Sequence, residues 1–94
     1  MNNILIVVKK HLSLFKSFDE VYLFGSSLKN NFSNDIDLLL VYSVDKNSIV
    51  KDLDKISSVL FDYFQKPIDI TVLSRDELID CGFLEKIKTY TRIK

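Results

Sequence analysis

The chain has no tryptophan, one cysteine, one histidine, one proline and two glycines in 94 residues, and 13 basic side chains are balanced by 13 acidic ones. Each scarcity removes a class of function. A single cysteine, Cys81, cannot close an internal disulfide, so the fold must rest on its core, as expected in a reducing compartment. With no partner at a supporting spacing, Cys81 is expected to be buried and inert. A lone histidine, His11, cannot build a histidine-rich metal site and reads as structural or superficial. Balanced charge leaves no global field to draw in nucleic acid or an anionic membrane. Long apolar runs are missing too. Ile4 to Val8 meets Lys9, Lys10 and His11 with no basic leader and no small-residue cleavage site, and the expectation is a cytoplasmic protein.

What is present is apolar and aromatic. Hydrophobic residues make up 47% of the chain, with seven Phe and four Tyr, a generous share for one domain over residues 1–94. Some of that area is expected to be covered by a partner or a second copy. Ile4, Val8, Leu12 and Phe15 recur at helical spacing and predict a helix over 3–17. Val21-Tyr22-Leu23-Phe24, closed by Gly25, reads as a strand, and Asp35 to Tyr42 as a longer one, apolar on both faces. Between them Lys29 to Asn34 is polar and turn-forming, with one helical turn expected at Ser26 to Lys29. Ile49, Leu53, Ile56, Leu60 and Phe64 mark a long helix that must stop before Pro67. Pro67 to Leu73 is a third strand. Ser74-Arg75-Asp76-Glu77 has the form of a capping box, and Gly82 suits the end of the short helix it opens. A last helix is predicted from Phe83, with Leu84, Ile87 and Tyr90 on one side and Lys86, Lys88, Arg92 and Lys94 as its solvated face and tail. The result is an α/β class protein, with a small mixed sheet of three or slightly more strands packed by helices.

Three carboxylates do not fit this apolar pattern. Asp35 and Asp37 share one face of their strand, and Asp69 lies between Ile68 and Ile70 on another. Adjacent carboxylates repel and raise each other's pKa unless a cation neutralises them. A divalent ion with oxygen ligands resolves the conflict, and three carboxylates suffice for two such ions clamping a phosphoryl group. Gly25 follows the first strand directly, so a ligand can approach its backbone. Ser26 and the amides after it can donate to phosphate oxygens, and Lys29 is a candidate phosphate contact. Other readings fail locally: leucines follow Asp37 where a calcium loop needs polar residues, and no Gly-Lys-Ser or Gly-Lys-Thr follows Gly25.

Gly25-Ser26, then Asp35-Ile36-Asp37, then Asp69 on a later strand resembles the minimal nucleotidyltransferases of the DNA polymerase β superfamily, over nearly the whole chain. The resemblance implies a nucleotidyltransferase fold, with Gly25 and Ser26 on the triphosphate. It implies that Asp35, Asp37 and Asp69 are the catalytic and metal-binding residues, holding Mg²⁺, as two ions, with Asp69 the base for an incoming hydroxyl. ATP would be the substrate, AMP the group transferred and pyrophosphate the product. It also implies a protein partner, a helical HEPN-like protein of a toxin–antitoxin pair, or else a homo-oligomer. The chain departs from the family pattern in two places. Eight residues separate Ser26 from Asp35, a shorter span than is usual there, and Leu28-Lys29-Asn30 replaces the usual small-Arg-Gly sequence. A second reading therefore stays open: a catalytically weak or inactive module of the same fold that neutralises a partner by contact.

Overall fold

The computed structural model describes residues 3–25, 35–43, 46–87 and 89–94. Helix α1 (Asn3–Lys10) runs into a 3₁₀ turn over Leu12–Phe15, so the helix expected over 3–17 is broken in two. The break sits at His11, whose backbone N–H is shared between the Val7 and Val8 carbonyls at 3.2 and 3.1 Å while its ring Nδ1 donates to Val7 at 2.8 Å. Tightening to 3₁₀ geometry there turns Phe15, and then Phe18, into the core, where both are fully buried.

Strands β1 (Glu20–Phe24) and β2 (Ile36–Tyr42) pair antiparallel. Helix α2 (Lys46–Phe64) then carries the chain back so that β3 (Ile68–Ser74) can lie parallel to β2, a pairing that requires such a crossover. The helix ends at Gln65, which adopts φ +55° and donates its side-chain amide to the Asp62 carbonyl at 2.8 Å. Ser74 caps α3 (Arg75–Cys81): its hydroxyl accepts from the Glu77 amide and the Glu77 carboxylate accepts from the Ser74 amide, the capping box expected from sequence. Gly82 closes α3 in the left-handed conformation, and α4 (Phe83–Ile87) follows.

The predicted last helix is shorter than expected. From Tyr90 the chain is extended, and β4 (Tyr90–Arg92) pairs antiparallel with β1, giving the mixed sheet the order β3-β2-β1-β4. Thr89-Tyr90-Thr91-Arg92-Ile93 explains the change, because aromatic and β-branched residues favour a pleated surface over a helix. Among the described residues no helix is long and apolar enough to cross a membrane.

The two faces of the sheet are buried differently. Val21, Leu23, Ile36, Leu38 and Leu40 meet Ile4, Val8, Phe15 and Phe18 together with Ile49, Ile56 and Leu60 of α2, and this face is the main core. Tyr22, Leu39 and Val41 occupy the opposite face, under Leu78, Phe83 and Leu84 of the two short helices. Among the described residues the cover on that second face is local, and Asp37, near the start of β2, is only partly buried.

The C-terminal residues are anchored, which corrects their expected role as a solvated helix tail. Arg92 lies 3.7 Å from the Glu20 carboxylate, and Arg75 lies 3.1 Å from its other oxygen. The Tyr22 hydroxyl also donates to Glu20; burial first, then this carboxylate, pushes the phenol pKa up to about 12. Glu20 is 7% exposed and needs these partners, since a buried carboxylate without them is costly. Lys94 donates its ammonium to the Phe15 and Phe18 carbonyls at 2.8 and 2.6 Å. Cys81 is exposed rather than buried, because α3 contributes Leu78 and not Cys81 to the packed side.

The contrast between faces sets an expected mutational profile. Leu38→Ala empties a fully buried site and should lower unfolding stability in urea by about 2–5 kcal/mol. Ile79→Ala, at a site 72% exposed, should change it by less than about 0.5 kcal/mol.

Candidate metal centre

Parallel register places Asp37 of β2 directly beside Asp69 of β3, and Asp37 in turn stands opposite Phe24, the last residue of β1. Direct partners project to the same face, here the second one, one pleat beyond the buried Leu39. Asp35 completes the group. Each of the three carboxylates offers an oxygen, and these oxygens all lie within 4.8 Å of one another. The three acids singled out from sequence are therefore brought together.

Asp37 is held in an unfavourable electrostatic setting. It is partly buried and Asp69 is exposed. Burial pushes the Asp37 carboxyl above its ordinary value of 3.8, and the charges of Asp35 and Asp69 push it further, with a hydrogen bond to Asp69.

Gly25 has a role that sequence reasoning did not supply. Its φ is +77°, a conformation that side-chain-bearing residues rarely adopt, and a Cβ built there would collide with an oxygen of Asp37. The glycine therefore makes room for a carboxylate of its own chain as well as opening the backbone. Only the register of β1 against β2 reveals this, because twelve positions of sequence separate the two residues. Ser26 and Lys29, and the helical turn expected between them, lie outside the described residues.

The donor set suits a hard divalent cation. All three ligands are carboxylate oxygens, the preference of Mg²⁺-like and Ca²⁺-like ions rather than of soft metals. Such an ion would relieve the repulsion that holds Asp37 away from its ordinary titration.

The model of the nucleotidyltransferase domain family matches residues 5–94. The chain belongs to that family. Among solved structures, one provisionally described as a nucleotidyltransferase is 26% identical, with a TM-score of 0.63 over 94% of this chain and 98% of that one. A second, from Sulfolobus solfataricus and described in the same way, is 25% identical over 95% of this chain and 78% of that one, with a TM-score of 0.48. A mutant of the MntA–HpeT toxin–antitoxin pair is 14% identical, with a TM-score of 0.54 over 98% of this chain and 72% of that one, a likeness of fold. Comparison with curated proteins gives no significant match. In this nucleotidyltransferase domain the carboxylates stand where a metal can be bound, as in the family.

The site generates two expectations. A group whose folded pKa is raised adds stability below its unfolded pKa and loses it as pH rises through the folded value. Metal-free protein should therefore lose stability as pH climbs from the ordinary Asp value of 3.8 toward neutrality. Asp37→Asn should flatten that slope and raise the melting temperature in EDTA at neutral pH by a few degrees, while abolishing the stabilisation that a divalent ion gives the wild type, both read by circular dichroism. Gly25→Ala should lower stability by about 1 kcal/mol or more and weaken divalent-ion binding in calorimetry, because strain and collision act together.

Proposed function

We propose that the chain is a Mg²⁺-dependent nucleotidyltransferase that moves a nucleoside monophosphate, AMP from ATP, onto a hydroxyl of an acceptor and releases pyrophosphate. The observation that carries this reading is the convergence of Asp35, Asp37 and Asp69 on one open end of the sheet in a chain of this family. Residues 1–94 would act as one catalytic domain in the cytoplasm.

Asp35 and Asp37 would hold the metal, and Asp69 would share it and take the acceptor's proton. Bound Mg²⁺ would supply neutralisation of phosphate charge and a template for the triphosphate. The acceptor oxygen attacks the α-phosphorus, the bond from that phosphorus to the bridging oxygen of the β-phosphate breaks, and the electron pair leaves with pyrophosphate. The hydroxyl proton passes to an Asp69 oxygen. Gly25 and Ser26, with Lys29 as a further contact, would face the β- and γ-phosphates at the end of β1. Catalysis in such a site is positioning and electrostatics.

Support for a protein acceptor is indirect but concrete. A chain of the same fold occurs in a toxin–antitoxin pair, and here Phe61, Tyr63 and Ile79 leave large apolar side chains exposed. A HEPN-like helical partner is the first to test.

Incubation with Mg²⁺, α-labelled ATP and that partner should label the partner. Asp35→Asn and Asp37→Asn should each lower transfer by roughly a hundredfold or more with an unchanged circular dichroism spectrum. Transfer that persists in both variants overturns the metal assignment, and partner neutralisation without any label favours the contact-only module.

A further inference from the structure

Register continues the acidic row onto the last strand. Asp69, Asp37, Phe24 and Tyr90 are successive direct partners on β3, β2, β1 and β4, so all four belong to one row on one face of the sheet. The row changes character midway, from two carboxylates to two aromatic rings. Tyr90 is 41% exposed, although its ring is fixed edge-on against Tyr22 at 5.4 Å between centroids and 87° between planes. Phe24 is fixed likewise against Phe83, at 5.5 Å and 84°. The aromatic end of the row is therefore ordered by packing and still reachable from solvent.

We infer that Tyr90, held edge-on by Tyr22 and paired across the strands with Phe24, is the stacking platform for the base of the nucleotide whose phosphates face Asp35, Asp37 and Asp69; this rests on the nucleotidyltransferase reading above. The geometry suits the ligand. Two strand spacings, about 10 Å, separate the backbone of β4 from that of β2, a gap for the ribose and α-phosphate to bridge. Neighbouring Arg92 is already engaged with Glu20, and Phe24 has no polar group, so the row offers a π-surface rather than a set of hydrogen bonds to one base. A platform of this kind ranks bases by stacking area, purines above pyrimidines. A preference for a purine nucleotide would then arise on β4, which stands where a helix is expected from sequence.

Calorimetry with Mg²⁺ and two probes tests this: an ATP analogue with a methylene between the α- and β-phosphorus, and inorganic tripolyphosphate, which has no base. Wild type should bind the ATP analogue more tightly than the matching UTP analogue, and both more tightly than tripolyphosphate. Tyr90→Leu should lower affinity for the ATP analogue by about five- to 150-fold and leave tripolyphosphate binding unchanged, while Tyr90→Phe keeps wild-type affinity. An unchanged affinity in Tyr90→Leu, an equal loss for both probes, or no gain from the base in wild type overturns the platform. The wild-type comparison decides even if the leucine variant folds poorly. Wild type that binds neither probe removes the nucleotidyltransferase reading itself, an outcome separate from tripolyphosphate binding with no gain from the base.

Discussion

Like charges forced together by strand register are the constraint around which this molecule is arranged. Once β2 and β3 run parallel with Ile36 beside Ile68, Asp37 has no choice but to lie beside Asp69, since each strand's apolar residues fix which face the acids take. A slip of one residue would relieve the repulsion, but it would drive Ile68 and Ile70 off the main core and put Asp69 into it. Hydrophobic burial on one face thus enforces electrostatic conflict on the other. The conflict is tolerable only at the end of the second face, where Asp37 is partly buried and Asp69 exposed.

That asymmetry also explains the treatment of the other acids near the sheet. Glu20 sits on the same face two pleats from Phe24 and is buried, yet it is answered by Arg75, Arg92 and Tyr22. Asp37 is surrounded by further carboxylates instead. Both are Asp or Glu within an apolar strand, and the difference lies in partners, with one end of the face closed by cations of the chain and the other suited to a cation from outside.

Much of this was legible beforehand. The alternation around Asp37 and Asp69 betrayed both strands and their polar outliers, and the Ser74 to Glu77 box and Gly82 marked α3 from local chemistry alone. What failed was non-local. Tyr90 has helical spacing from Leu84 and Ile87, and only its pairing with Phe24 shows that β-propensity at Thr89 to Ile93 prevails. Cys81 looked core-like by type, but its place on α3 faces it outward. Arg92 and Lys94 read as a solvated tail because their partners, Glu20 and the Phe15 and Phe18 carbonyls, lie more than seventy positions away. The fit of Gly25 against Asp37 was hidden for the same reason, as a meeting set by register rather than by neighbouring residues.

The short strand β4 has a consequence for the sheet edge that it covers. β1 is buried at Val21, Tyr22 and Leu23, and β4 with Ile93 and Lys94 is what satisfies the backbone along its outer side, through pairs with Tyr22 to Phe24 and bonds to Val21. Without β4, β1 would be a longer apolar edge of the sheet, open to any other strand in reach. β4, only three residues long, thus acts as a selvedge, a short edge in place of a long apolar one.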